Sequence, residues 1–117
     1  MNLYKELIAY QRSYALALSL YKFTKTLPNS ERYGLTSQIT RSATSIPLNI
    51  AEGYGKEDSA KETARFLRMS KGSCQELSVL INFCKDLNYM SDEAFEKYSK
   101  EIDEISAMLY TLNSKLL

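Results

Sequence analysis

The sequence predicts an all-α fold, an antiparallel up-down four-helix bundle that forms one domain over residues 1–117. Apolar residues recur every three or four positions through most of the chain, and no useful length of it alternates as a β-strand does. Helix-capping and helix-breaking residues divide this pattern into four segments with short connections, the arrangement of an up-down bundle. With 117 residues, 44% of them hydrophobic, the chain can build one core.

The first predicted helix covers about residues 3–26. It ends at Leu27-Pro28, because proline disfavours the helical conformation of the residue before it and cannot donate a backbone hydrogen bond. Four tyrosines lie on this helix, and we expect their rings to line the core or an interface rather than to stack on nucleic-acid bases: Tyr4, Tyr10, Tyr14 and Tyr21.

The second helix begins within residues 33–36 and carries an apolar row along one side. Pro47 falls inside it, where it removes a backbone donor and crowds the preceding turn, so we expect a kink or loosening over residues 43–46. Gly53 and Gly55 are expected to end the helix, because glycine readily takes the left-handed conformation common at helix C-termini.

The third helix spans about residues 59–88 and starts at a capping box, formed by Ser59 with Glu62 three residues later. Its C-terminal half is apolar over more than one stripe, since three residues widen the seam: Val79, Phe83 and Leu87. Subunit association would cover this second face, and an exposed apolar patch is the alternative.

The fourth helix covers about residues 92–115, with Ser91 as its N-cap. Asp92 and Glu93 lie in the first turn, where carboxylates interact favourably with the helix dipole. Its apolar residues form a coiled-coil seam of about three heptads: Phe95, Tyr98, Ile102, Ile105, Leu109, Leu112 and Leu116.

Cysteine spacing and hydropathy both indicate a cytoplasmic protein. Cys74 and Cys84 lie ten residues apart in one helix, so about 15 Å of helix rise excludes a disulfide between them. We expect two buried free thiols in a reducing compartment. No window approaches the 18 or so uninterrupted apolar residues of a membrane span, so no membrane association is expected.

The charge of the chain is uneven although its formal net charge is only +1. Residues 1–72 hold 11 basic against 6 acidic side chains, a net +5, whereas residues 73–117 hold 4 against 8, a net −4. Such a chain can dock an acidic partner on one side, or it can pair its own opposite faces within an oligomer.

A polar row accompanies the apolar row of the second helix. Its members step by 4, 4 and 3, and a matching row follows on the third helix: Arg41, Ser45, Asn49 and Glu52, then Arg65, Met69, Gly72 and Glu76. In an antiparallel hairpin Glu52 would reach Lys61 or Arg65, and Arg41 would reach residues 72–76. We expect this network to fix the register of the two helices rather than to bind a ligand. Gly72 costs about 1 kcal/mol in mid-helix, which a close approach of the second helix would compensate.

At these residues the sequence resembles a known bacterial family. The segments RSATSIPLNIAEGYG and RFLRMSKGSCQEL resemble the small four-helix-bundle family encoded in intervening sequences of large-subunit ribosomal RNA genes, often labelled S23 ribosomal protein. The family motif falls on Ser45, Ile46, Pro47, Asn49, Ile50, Ala51, Glu52 and Gly53, and its glycine-serine step on Gly72 and Ser73. Cys74 and Ser78 replace a leucine and a glutamate of the family pattern, so no role that needs two carboxylates there is expected.

The resemblance implies a ring-like homo-oligomer, a pentamer, with an association with RNA. It also implies a more distant similarity to the accessory variability protein of diversity-generating retroelements. Five basic residues are the candidate nucleic-acid contacts: Lys56, Lys61, Arg65, Arg68 and Lys71. The alternative is a solvated face balanced by Glu57, Asp58 and Glu62, which the sequence pI near 7.7 favours.

The sequence offers no catalytic residues. It contains no histidine, which removes the commonest general base and metal ligand, and its two cysteines have no histidine partner. The run Gly53-Tyr54-Gly55-Lys56 is neither a Walker A loop nor a dinucleotide fingerprint. We therefore expect a non-enzymatic oligomeric bundle without cofactor, metal or small-molecule substrate, which binds RNA or, alternatively, serves as a protein-interaction scaffold.

Overall fold

The computed structural model describes residues 3–56 and 59–116 and confirms the predicted all-α class. Four helices account for most of the described chain: α1 (Ile8–Thr24), α2 (Leu35–Tyr54), α3 (Ala60–Asp86) and α4 (Asp92–Ser114). Two short 3₁₀ turns, Leu3–Glu6 and Asn29–Glu31, precede α1 and α2. No strand occurs within the described ranges.

The helices form an elongated bundle with extents of 45 × 23 × 20 Å. Each helix packs against the next one in the chain, and α4 also packs against α1, so the four form a circuit. α2 and α3 run in opposite directions, because Ser45 lies opposite Ser73 and Gly53 lies opposite Thr63. This is the geometry of an up-down bundle.

The helix starts follow the predicted local chemistry. The Ser59 hydroxyl accepts a hydrogen bond from the backbone N–H of Glu62, and the Ser91 hydroxyl accepts one from the N–H of Ala94. These caps pair donors that the first turn of a helix leaves free. The first predicted helix is the exception, since extended backbone at Leu7 separates its initial turn from α1.

The helix ends depart from the prediction. Gly53 lies inside α2, and Gly55 caps that helix with a right-handed φ of −74°, so the expected left-handed glycine end was wrong. α3 instead ends with Asn88 at φ 62°. There the N–H of Tyr89 donates to the Cys84 carbonyl at 2.8 Å and the N–H of Asn88 donates to the Lys85 carbonyl at 3.0 Å. This pair of bonds is a Schellman motif, with asparagine in the place that glycine usually takes.

Pro47 is buried inside α2, and the helix continues through it without a break. Proline cannot donate to the carbonyl one turn earlier, so some loosening of this turn was expected. The residue before the proline is Ile46, and its carbonyl accepts a hydrogen bond of 2.9 Å from the Ser70 hydroxyl of α3. α3 therefore supplies a donor to the backbone of α2 directly beside its proline.

The core runs the length of the bundle and draws on all four helices. Its largest fully buried side chains are Leu20, Ile39, Ile46, Ile50, Leu67, Leu77, Ile81, Ile102, Ile105, Leu109, Cys74 and Cys84. The α4 members are the centre of the predicted coiled-coil seam, whose outer members are partly buried against the core. No helix in the described part of the chain is both long and apolar enough to cross a membrane.

Both cysteines are free and buried, as predicted. Burial raises the pKa of Cys74 to about 12 and that of Cys84 to about 11. Since the thiolate is the reactive form, only on the order of one thousandth or less of either group is reactive at about pH 8.

We therefore expect neither thiol of the folded protein to react with an aromatic disulfide reagent at about pH 8. Both should react promptly once denaturant exposes them, because their pKa values then return to the ordinary range. A stopped-flow absorbance trace with and without denaturant measures the difference. A fast reaction of the folded protein would contradict the buried placement.

Candidate functional site

A row of hydroxyl groups joins α2 to α3 along the motif that the sequence singled out. Ser45 and Ser73 share a hydrogen bond of 2.7 Å between their hydroxyl oxygens. Asn49 donates to the Ser45 carbonyl at 2.8 Å and to its hydroxyl at 2.9 Å. Farther along, the buried hydroxyl of Ser42 donates to the carboxylate of Glu76. The structure thus brings four motif residues, Ser45, Asn49, Ser73 and Glu76, to one seam.

Arg41 and Glu52, two charged residues of the predicted network, do not take part in this seam. Arg41 and Glu52 are both exposed, and neither forms a salt bridge or side-chain hydrogen bond with another described residue. The expected pairing of Glu52 with Lys61 or Arg65, and of Arg41 with residues 72–76, was therefore wrong. The contacts across the seam come instead from the side chains of Ser45, Asn49 and Ser73 and from the Glu76 carboxylate.

The closest approach of the two helices is at Gly53. A Cβ atom at this position would lie 2.9 Å from the Cβ of Phe66 and 3.2 Å from the Thr63 carbonyl oxygen. The Thr63 hydroxyl also donates to the Gly53 carbonyl at 2.8 Å, in a buried position. Only glycine lets α2 and α3 come this close at Gly53, because any side chain there would collide with Phe66.

Gly72 has the opposite surroundings. A Cβ atom added there would meet nothing within 4 Å, and the residue is exposed. The expectation that Gly72 permits a close approach of α2 was therefore wrong. Its lack of a side chain leaves open surface on the outer face of α3.

The candidate nucleic-acid contacts lie on that outer face, at its N-terminal half. Lys61, Arg65 and Arg68 are exposed and share a face at spacings of 4 and 3. Arg65 donates to both carboxylate oxygens of Glu62, at 3.0 and 3.1 Å, and these hydrogen bonds hold the pKa of Glu62 below its ordinary value. Glu62 thus offsets part of the positive charge, whereas Glu57 and Asp58 lie outside the described residues.

The remaining two candidates lie on either side of these three. The Lys56 ammonium is 5.9 Å from the centre of the Phe66 ring, and the Arg65 guanidinium is 4.6 Å from the same ring. The structure therefore brings Lys56 and Arg65 together around one aromatic side chain. Lys71 is turned toward α4, where its ammonium lies 5.5 Å from the ring of Tyr110. We call the exposed group Lys56, Lys61, Arg65 and Arg68 the basic cluster.

One charged group was missed by the sequence reasoning. Arg12 of α1 donates to the carboxylates of Glu101 and Glu104 on α4, with its Nε atom 2.9 Å from Glu101. This pairing raises the pKa of Arg12 and lowers that of Glu104. The signal was the spacing of three between Glu101 and Glu104, which places both carboxylates on one side of α4, next to the buried Ile105. The group links α1 to α4 and lies away from the basic cluster.

Two apolar grooves open on the surface. One lies between α1 and α2, has a volume of about 500 Å³ and is lined mainly by tyrosine and leucine side chains. The other lies between the start of α1 and the end of α4, with a volume of about 580 Å³ and a lining that includes Ile8 and Met108. Within the described ranges, no three histidine, cysteine or carboxylate side chains are placed to hold a metal ion.

Comparison with known proteins assigns the fold and the family. A crystal structure from Bacteroides thetaiotaomicron, of a protein with unknown function from the S23 ribosomal protein family, superposes with a TM-score of 0.84. The two chains are 22% identical over 92% of this chain and 96% of the other, so this likeness shows a common fold. None of the curated proteins matches the sequence. The similarity to the retroelement accessory protein stays a prediction.

The family assignment comes from the sequence. The model of the family described as 23S rRNA-intervening sequence protein matches residues 5–111, which include all four helices up to the last turn of α4. The match includes both segments in which the resemblance was found. The chain therefore belongs to the family of 23S rRNA-intervening sequence proteins.

Proposed function

We propose that this protein is a cytoplasmic, non-enzymatic bundle that associates with copies of itself and binds RNA through the basic cluster on α3. The observation that carries the proposal is the exposed placement of Lys61, Arg65 and Arg68 on one helix face. They span about 10 Å of α3, and only Arg65 has a carboxylate partner among the described residues. Such a row can contact a phosphate backbone by charge, without reading the base sequence.

Self-association is part of the proposal because one cluster is small. A protein that neutralises three phosphates binds weakly at physiological salt, whereas linked copies bind one strand with a large gain in avidity. The ring-like pentamer implied by the family resemblance would repeat the cluster in this way. Exposed apolar side chains on α1, α2 and α3 provide the surface that such an assembly needs.

A non-enzymatic role is supported by the chemistry of the side chains. The sequence has no histidine, and its two cysteines are buried with raised pKa values, so neither a general base of the usual kind nor an activated thiol is at hand. The two grooves have mainly apolar linings, which suit packing better than proton transfer. The second candidate function, a protein-interaction scaffold, is favoured by these same apolar surfaces.

A gel-shift titration separates the two functions. We expect a labelled RNA of mixed sequence to bind at about 50 mM salt and to be released as salt rises. The triple variant Lys61→Glu, Arg65→Glu, Arg68→Glu should lose at least about tenfold in affinity, and its log-log salt dependence should fall by about 2, at roughly 0.7 for each phosphate contact. A DNA strand of the same sequence should bind with similar affinity if the protein contacts only the phosphate backbone.

The matched control is Lys97→Glu, Lys100→Glu, Lys115→Glu, which reverses three exposed charges on or next to α4. Both variants change the net charge equally, so only a local contact makes them differ. Thermal melts check that each variant is folded. Absence of binding by the unmodified protein, or equal affinities of the two variants, would leave the scaffold as the function.

A further inference from the structure

Two apolar surfaces among the described residues differ in shape. The first is convex and lies on the C-terminal half of α3 and its C-cap, where Val79, Phe83 and Leu87 are 56%, 54% and 49% exposed. We call these three residues the α3 ridge. The second is concave and lies between α1 and α2, and its lining includes Tyr10, Tyr14, Leu18, Tyr21, Pro47 and Leu48. We call it the tyrosine groove.

The two surfaces have similar lengths. The α3 ridge extends over eight residue steps, about 12 Å of helix, and the part of the groove between Tyr14 and Tyr21 extends over about 10 Å of α1. Leu18 and Leu48 are 51% and 65% exposed, so the groove presents apolar side chains from both of its helices. A helix with three apolar residues at spacings of 4 and 4 can lie along such a groove.

The charges at the margins of the two surfaces are opposite. On α3, Glu76 and Asp86 are exposed on the same face as the ridge. The nearby ammonium group of Lys85 lies 4.6 Å from the ring of Phe95, on the side of α4. The ridge therefore has an acidic margin.

The margin of the groove carries more positive than negative charge. The Lys25 ammonium lies 4.7 Å from the centre of the Tyr21 ring, which forms part of the groove. Arg41 is exposed two helical turns before Leu48 on the same face of α2, and Glu52 lies one turn after it. Two cations against one carboxylate give this margin a net positive charge.

We propose that the α3 ridge of one copy of this chain occupies the tyrosine groove of the next copy, in a head-to-tail contact. This inference rests on the self-association in the proposed function and names the surfaces that form it. Shape and charge both favour the contact, because a convex acidic surface meets a concave basic one. A two-fold contact of ridge with ridge would instead bring four carboxylates together and leave the groove open.

The contact has a consequence for assembly. Each copy carries one ridge and one groove on different sides of the bundle, so one contact leaves a free surface of each kind at the ends. Assembly then continues as an open filament, unless the rotation between copies brings the last copy to the first and a ring closes. Every copy in such a ring has the same environment, and the basic clusters are repeated around it.

Two single substitutions test the contact, each at an exposed position where folding is preserved. Phe83→Glu places a charge on the ridge, and Leu18→Glu places one in the groove. We expect each variant alone to be a monomer of 13.4 kDa by light scattering, whereas the unmodified chain forms a larger assembly. Tyr110→Glu is the matched control, since Tyr110 is 65% exposed on α4 outside both surfaces, and this variant should assemble normally.

Mixing the two variants distinguishes a head-to-tail contact from a two-fold one. The Phe83→Glu chain keeps an intact groove and the Leu18→Glu chain keeps an intact ridge, so one contact can form between them and no more. We expect a dimer with twice the mass of one chain in the mixture. Two monomers that remain separate on mixing would overturn the proposal, as would a monomeric unmodified chain or a ridge variant that still assembles.

The result is independent of RNA binding, which the gel shift measures. Failure of RNA binding with a mixed dimer present would leave the contact in place and remove the proposed ligand. Photocrosslinking of RNA bases to Tyr14 or Tyr21 in the unmodified assembly would overturn the contact, because it would show that the groove is open to nucleic acid. Protection of these tyrosines from modification in the assembly, and not in the Phe83→Glu variant, would support it.

Discussion

Truncation of Leu77 to alanine is expected to lower the free energy of unfolding by about 2–5 kcal/mol. The Leu77 side chain is 0% exposed and lies in the core cluster with residues of the other three helices. Its removal loses the favourable free energy of burying several apolar atoms. It also leaves a cavity that the packed neighbours fill only in part. Urea denaturation followed by circular dichroism measures the loss.

Leu87, the C-cap residue of α3, provides the control. It is 49% exposed on the α3 ridge, so Leu87→Ala should cost less than about 0.5 kcal/mol in a chain held at monomeric concentration. The same variant should weaken self-association, which light scattering over a dilution series detects. Equal losses of folding stability at Leu77 and Leu87 would contradict the assignment of one leucine to the core and the other to the ridge.

The sequence predicted the four helices because their signals are local. Ser59 and Ser91 form the predicted caps, since a hydroxyl and a backbone N–H three residues away meet whatever the rest of the fold does. The break at Leu7 and the left-handed Asn88 were missed. Neither glycine nor proline marks them, although asparagine is the residue that sometimes replaces glycine at such a helix end.

The sequence predicted that polar residues of α2 and α3 face each other. It did not predict which of their side chains make the contacts. The spacing placed Ser45, Asn49 and Glu76 on the facing sides, and all three contribute to the seam. The sequence reasoning gave the main role to Arg41 and Glu52, because charge pairs are the strongest polar contacts in isolation. It could not supply the rotation of α3 about its own axis, which turns Ser73 toward α2 and leaves Gly72 exposed.

Alanine substitutions at the two helical glycines, Gly53 and Gly72, are expected to change folding stability in opposite directions. We expect Gly53→Ala to lower the free energy of unfolding by about 1–3 kcal/mol, because the added Cβ would lie 2.9 Å from the Cβ of Phe66. α2 and α3 must separate to admit it, which also stretches the hydrogen bond from Thr63 to the Gly53 carbonyl. A thermal melt should show a fall of roughly 4 °C for each kcal/mol lost.

Gly72→Ala should have the opposite sign and raise the free energy of unfolding by up to about 1 kcal/mol. Alanine restricts the unfolded chain and favours the helix, and the added methyl group meets open space. The residue pattern already separates the two positions, since Gly53 follows the buried Ile46 and Ile50 at helical spacing whereas Gly72 follows the exposed Arg65 and Arg68. If both alanine variants proved more stable than the parent in parallel melts, Phe66 would have to yield to the new side chain, and the close contact at Gly53 would not be what fixes α2 against α3.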